Sequence, residues 1–246
     1  LIEVSLELPA DHVRGLSSRV ELDLGRLHVD FGWAASARDH AEQAAELAER
    51  DQDTIAVGHA LLVEAAALQL ERRRGEAADR LQQVTTLLQD RTDWTLTADA
   101  RLGLMSLSLQ HANQSVAAKM AREAHAVMEQ AIDREAFGRA ARAAAYGAQA
   151  LAIAGQPVEG LQLAEDALQL AQRKAGWTRW IHHLLYVLSL ARRGVGRKQA
   201  ADALMLQAVD ALRTIAGTIE DPERRKTWVS TPENEAILGL TGQKIG

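Results

Sequence analysis

The sequence predicts an all-α protein built from stacked pairs of helices, an α-solenoid, and three observations support this prediction. Alanine supplies 46 of the 246 residues, whereas proline supplies only 4. Alanine has the highest intrinsic helix propensity, and proline the lowest. No segment alternates apolar and polar residues for long enough to indicate a strand. Finally, a pattern of small residues recurs along the chain.

The recurring pattern places small or apolar residues three, one and three positions apart. Its first positions are Ala41, Val84, Ala121, Ala164 and Ala208, which follow one another at intervals of 37 to 44 residues. Such a period is too long for a single helix, and it fits two helices with two turns, the repeating unit of an α-solenoid. In the second copy Leu88 occupies the third position of the pattern, and in the third copy His125 occupies that position.

Glycine, asparagine and aspartate residues divide each period into two helices. A glycine or asparagine just past a helix end supplies the left-handed residue that closes it, which predicts ends of first helices at Gly32, Gly75, Asn113, Gly155 and the pair Gly194 and Gly196. Aspartates predict the starts of later helices, because their side chains cap exposed backbone amides, at Asp53, Asp93, Asp133 and, before Pro222, Asp221.

We therefore expect one domain over 1–246, with five helical hairpins and a closing cap. The hairpins are predicted at 11–50, 53–91, 94–132, 134–173 and 177–218, and two short cap helices at 221–240. We expect Trp228 to cover the last open apolar face, because the final unit of such an array has no neighbour.

The segment AYGAQALAIAGQPVEGLQLAEDALQLA, residues 145–171, resembles a tetratricopeptide (TPR) repeat. It contains a helix ending in a small residue and glycine, a short turn, and a second helix with small residues where helices cross. The whole chain is similar to the longer TPR-like arrays of large bacterial regulators, and IEDPERRKTWVSTPENEAILGL resembles the segment that closes them. The resemblance implies a role in bacterial signalling or transcription regulation. The opening LIEVSLEL resembles the tail of an earlier helix, as expected of either a segment of a longer protein or a trimmed start.

Composition and motifs argue against several classes of function. The chain has no cysteine, which excludes disulfides, thiolate zinc sites and cysteine nucleophiles. A formal charge of −5 gives no general attraction to nucleic acid or anionic lipid, and no apolar run approaches the roughly 18 residues of a membrane span. The eight histidines show no metal-ligand spacing, and nucleotide-binding and nucleophile motifs are missing. We therefore predict a cytoplasmic protein that is no enzyme and holds no cofactor or metal.

The first helix of each pair is expected to line the concave side of the array. Aligning these helices on their closing residues predicts the side chains of that face: Arg19 and Arg26 in the first pair, His59 in the second, Arg101 in the third, Arg139, Arg142, Tyr146 and Gln149 in the fourth, and Arg179, His182 and Tyr186 in the fifth. Six arginines and one aspartate, Asp23, would make this face basic in an acidic protein. Arginine binds carboxylates through paired hydrogen bonds, which indicates an acidic partner.

The sequence thus favours a non-catalytic scaffold or sensor that binds a protein or peptide. The alternatives are a domain that senses a small-molecule effector in the same groove and a module that forms a homodimer through its N-terminal helix. Neither nucleic acid nor a membrane is expected as a direct partner.

Overall fold

The computed structural model describes residues 15–88, 93–109, 111–173 and 180–241. Twelve α-helices occupy these ranges and none of their residues lies in a strand, which confirms the all-α prediction for this part of the chain. The helices are α1 (Leu16–Asp30), α2 (Ala34–Arg50), α3 (Thr54–Leu70), α4 (Arg74–Leu87), α5 (Trp94–Leu109), α6 (Gln114–Asp133), α7 (Phe137–Ile153), α8 (Pro157–Gln172), α9 (Ile181–Gly194), α10 (Lys198–Gly217), α11 (Pro222–Val229) and α12 (Pro232–Thr241). The opening segment LIEVSLEL and Arg179 lie outside the described residues.

The chain divides within α5 into two compact units, of which the first ends at Gly103. In this unit α1 packs against α2 and α3, α2 packs against α3, and α3 packs against α4. Ala41, Ala44 and Ala48 of α2 are buried together with Leu22 of α1 and Val63 of α3. These small side chains let neighbouring helix axes approach closely, which is why alanine dominates this core.

The second unit begins at Leu104. Here α7 packs against α6, α8 and α9, while α9 packs against α8 and α10. A methyl group added at Gly160 of α8 would lie 3.0 Å from the carbonyl oxygen of Ala148 in α7. Glycine therefore permits the close approach of these two helices. Within each unit consecutive helices pack side by side, an arrangement compatible with a solenoid.

The first residue of each copy of the recurring pattern lies in the second helix of a pair and is buried. Ala41, Val84, Ala121, Ala164 and Ala208 are between 0% and 8% exposed. The pattern therefore marks helix-packing positions, as expected. His125 departs from it, because its imidazole is on the surface and lies 3.3 Å from the Glu129 carboxylate.

Six of the turns between helices share one geometry. Each has a residue with positive φ, between 55° and 83°, at its centre: Gly32, Gln52, Arg72, Glu135, Gly155 and Gly196. The amide of the following residue donates to a carbonyl five residues earlier, for example Gln156 to Leu151 at 2.9 Å. These contacts satisfy carbonyl groups at the helix ends that have no partner within the helix.

The predicted helix boundaries are correct at some positions and wrong at others. Asp53, Asp93 and Asp221 accept hydrogen bonds from the first amides of the next helices, as predicted. Three predictions are wrong. Gly75 lies in the first turn of α4, because Arg72 supplies the left-handed residue after α3. Asn113 begins α6 by accepting from Val116, and Asp133 is the last residue of α6.

Helices α11 and α12 close the second unit. Helix α11 packs against α10, and α12 packs against both α9 and α10. Ile237 and Leu238 of α12 are buried with Met205, Val209 and Leu212 of α10, and Trp228 of α11 packs against this cluster. Trp228 therefore covers part of this apolar cluster, and its role as the cap of a repeat array stays a prediction. No helix in the described ranges is both long and apolar enough to cross a membrane.

Candidate functional site

The solvent-facing side of α1 combines large aliphatic side chains with arginines. Leu16, Val20 and Leu27 are 37%, 37% and 42% exposed. At 100° per residue these three side chains fall within about 40° of one another around the helix axis. Arg19 and Arg26 are exposed beside them. We call these five residues the α1 surface.

The opposite side of α1 holds it to the rest of the first unit. Ser18, Leu22 and Gly25 are buried, and the Ser18 hydroxyl donates to the Gly15 carbonyl at 3.0 Å. A methyl group added at Gly25 would lie 2.9 Å from Val63 Cγ1 in α3. One side of the helix is thus fixed by packing, and the other presents its side chains to solvent.

Arg26 links α1 to α3. Its guanidinium lies 2.9 Å from His59 Nδ1 and 3.2 Å from the Asp23 carboxylate. A guanidinium can only donate, so Nδ1 of His59 accepts and carries no proton in this contact. The structure therefore brings together Arg26 and His59, two residues predicted from different helices to share one face. Arg101, on α5 in the same unit, is also exposed.

In the second unit the predicted residues of α7 meet α9 in an aromatic cluster. The imidazole of His183 stacks on the Trp180 indole with ring centroids 4.3 Å apart, and the Tyr146 ring lies edge-on to Trp180 at 5.6 Å. The Arg142 guanidinium lies 5.6 Å from the centroid of the Trp180 ring, within the range of a cation–π interaction. Nε2 of Gln149 lies 3.2 Å from His183 Nε2. We call these five residues the α7–α9 cluster.

Burial keeps the histidines of α9 neutral. His183 is 4% exposed, and this burial, with smaller contributions from the charges of His182 and Arg142, lowers its pKa to about 3. Burial also lowers the pKa of His182 to about 4, against a hydrogen bond with Asn234 that acts in the opposite direction. Burial raises the pKa of the Tyr186 hydroxyl. A base with a pKa near 3 is too weak to transfer protons efficiently at neutral pH, so His183 is suited to packing.

His183 faces α7, the position that was predicted for His182. His183 was not among the residues predicted from the sequence. The His182 ring lies 5.9 Å from the Trp228 ring of α11, on a different side of α9. Consecutive helical residues point about 100° apart, so a one-residue error in alignment exchanges these roles. The spacing of Trp180 and His183, three residues apart on one helix face, is a signal that could have identified the pair.

The predicted residues differ in accessibility between the two units. In the first unit Arg19, Arg26 and Arg101 are exposed, and His59 is half-buried. In the second, Tyr146 and His182 are 4% and 5% exposed. Arg139, Arg142, Gln149 and Tyr186 are half-buried, and Tyr186 packs against the cluster formed by α10 and α12. Most of the accessible predicted side chains therefore lie in the first unit.

No group of three or more histidine, aspartate or glutamate side chains within the described part of the chain is placed to hold a metal ion. No protein-family model matches the sequence, and no curated protein matches it. Membership of the TPR family accordingly stays a prediction.

Proposed function

We propose that the chain is a non-catalytic protein-binding module with a TPR-like array, and that the α1 surface binds a segment of another protein. That segment carries both aliphatic and acidic side chains. The recurring helix pairs and their shared turn geometry support the proposed array type. The role in a bacterial regulator rests on the resemblance of residues 145–171 to a TPR repeat.

The exposed aliphatic stripe of α1 is the observation that supports this function most directly. Leu16, Val20 and Leu27 lie together on the side of α1 that faces away from the core. Covering the exposed part of each side chain with a partner would contribute about 1 kcal/mol, at about 25 cal/mol per Å² of apolar surface removed from water. Exposed apolar side chains with a polar border are characteristic of interaction sites. On α1 this border includes Asp23, whose side chain is 76% exposed and lies between Val20 and Leu27 along the same side of the helix.

Two arginines next to the stripe can bind carboxylates of a partner, and one of them, Arg26, already contacts the carboxylate of Asp23. Arg19 and Arg26 are exposed, and Arg26 is already oriented by Asp23 and His59. A guanidinium held in place loses less conformational freedom when it binds, and it offers two parallel hydrogen bonds to a carboxylate. An amphipathic helix with leucines on one face and glutamates beside them fits both features.

Charge reversal on α1 tests the proposed function. Peptides selected from a random helical library for binding to the wild-type protein are labelled with fluorescein and titrated by fluorescence anisotropy. We expect Arg19→Glu/Arg26→Glu to weaken binding at least about tenfold, because each substitution replaces attraction of a carboxylate by repulsion. The control Lys119→Glu/Arg122→Glu reverses two exposed charges on α6 and should bind like the wild type.

Unchanged affinity in the α1 variant, with its helical content intact by circular dichroism, would exclude the α1 surface as the binding site. Selection of peptides without acidic residues would contradict the proposed partner chemistry.

A further inference from the structure

Helix α12 makes polar contacts with helices that are distant in sequence. The Ser106 hydroxyl of α5 donates to the Glu233 carboxylate at 3.3 Å, across 127 positions of the chain. Asn234 is 3% exposed, and its amide donates to the Trp228 carbonyl at 2.9 Å. The Asn234 side chain also forms a hydrogen bond with His182 of α9, and α12 packs against both α9 and α10. Helix α12 therefore lies on a surface formed by side chains of α5, α9 and α10.

The surface beneath α12 is part polar and part apolar. Its polar part comprises Ser106 and His182, and its apolar part comprises Met205, Val209 and Leu212 of α10. We call these five residues the α12 seat. Ile237 and Leu238 of α12 pack against its apolar part. The amphipathic character of the seat matches a helix with acidic residues in its first turn and an aliphatic pair one turn later.

Among the described residues of α11 and α12, three side chains are buried against the seat. Helix α11 has no buried residue, and among residues 233–239, the part of α12 whose side chains the structure describes, Asn234, Ile237 and Leu238 are buried. The polar groups of this interface can bond to water when the helices separate, so exposing them costs less than exposing an apolar core. Short terminal elements with few apolar contacts are those that open locally while the remainder of a protein stays folded.

We propose that the α12 seat is a second docking site, which α11 and α12 occupy within the chain and which a partner helix of the same chemistry enters when they separate. The partner helix has glutamate in its first turn, as at Glu233 and Glu235, and an isoleucine–leucine pair as at Ile237 and Leu238. The seat shares no residue with the α1 surface, so variants in one leave the side chains of the other unchanged.

A synthetic peptide of residues 219–246 with a fluorescein label is the probe for this site. It is titrated by fluorescence anisotropy against the full chain and against the full-chain variant Ile237→Ala/Leu238→Ala, which weakens the internal docking of α12. We expect the variant to bind the peptide at least tenfold more tightly than the wild type, because its seat is more often open. A peptide carrying the same two alanines should bind neither protein, and Leu206→Ala, at a 55% exposed position of α10, should behave like the wild type.

Absence of peptide binding to the variant, with helices α1–α10 still formed, would overturn the proposal. If the variant fails to fold, amide hydrogen exchange of the wild-type chain decides. The proposal requires α11 and α12 to exchange faster than α9 and α10 through local opening, and equal rates in all four helices would overturn it.

Discussion

The adjacent histidines of α9 show how strongly burial determines the chemistry of a side chain. His182 and His183 are both nearly inaccessible, at 5% and 4% exposed, yet they contact different helices. His183 lies between Trp180 and Gln149, and its Nδ1 has no hydrogen-bond partner among the described residues. An imidazolium in this environment would lose its hydration without gaining an acceptor, so the folded state keeps the ring neutral.

Stability is therefore expected to fall at acidic pH through these histidines. In the unfolded chain each would protonate with a pKa near 6.5, whereas in the folded state the pKa is about 3 for His183 and about 4 for His182. The unfolded state thus binds more protons below about pH 6.5, so the stabilisation is complete above that pH and is lost as pH falls towards the folded values. The expected slope is about 1.4 kcal/mol per pH unit for each histidine.

The variant His183→Gln isolates one of these contributions. Between pH 7 and pH 5 the free energy of unfolding of the wild type should fall by about 2 kcal/mol more than that of the variant, because glutamine does not titrate. Urea denaturation at the two pH values measures this difference. Equal pH dependence in wild type and His183→Gln would contradict the burial argument.

At the scale of the helices and turns, the sequence predicted helix starts better than helix ends. Asp53 and Asp93 act locally, by accepting from amides two or three residues later, so their role is visible in the sequence alone. Arg72, Gln52 and Glu135 adopt left-handed conformations that glycine or asparagine would adopt more easily. The packing of the flanking helices imposes these turns, which is why searching for glycine misplaced the end of α3.

Gly75 and Gly155 were both predicted to close the first helix of a pair, yet substitution by alanine should change the stability of the protein in opposite directions at the two positions. Gly155 has φ of +83°, and a methyl group there would meet no atom within 4 Å, so Gly155→Ala is expected to cost about 1 kcal/mol through backbone strain alone. Gly75 lies in the first turn of α4 with open space around it, so Gly75→Ala should stabilise by up to about 1 kcal/mol.

Urea denaturation of the two variants tests this contrast. The midpoint should decrease for Gly155→Ala and increase for Gly75→Ala. A decrease of similar size in both would mean that Gly75 also requires a conformation reserved for glycine.

At the scale of the whole molecule, the helical class could be predicted because it follows from composition. The small residues at Ala41, Ala164 and Ala208 could be found because close helix packing needs them at regular intervals. The candidate surfaces were harder to predict. A helix rotates by 100° per residue, so the side of α9 that faces α7 could not be fixed by counting. The contact between Ser106 and Glu233 depends on tertiary structure, and no local pattern indicates it.

The aliphatic stripe of α1 was missed for a related reason. Arg19 and Arg26 were predicted from their charge, while Leu16, Val20 and Leu27 could equally have been core residues. Only the packing shows that Ser18, Leu22 and Gly25 take the buried side of α1. An exposed apolar stripe can be recognised only when the packing of neighbouring helices shows which side of the helix is buried.

Amide hydrogen exchange of the protein with and without a selected peptide tests most directly the central claim, that α1 presents a partner-binding surface. Binding should slow exchange in α1 (Leu16–Asp30) and in the His59 turn of α3, with little change in α6 and α8. Slower exchange confined to helices of the second unit, with α1 unaffected, would contradict the account.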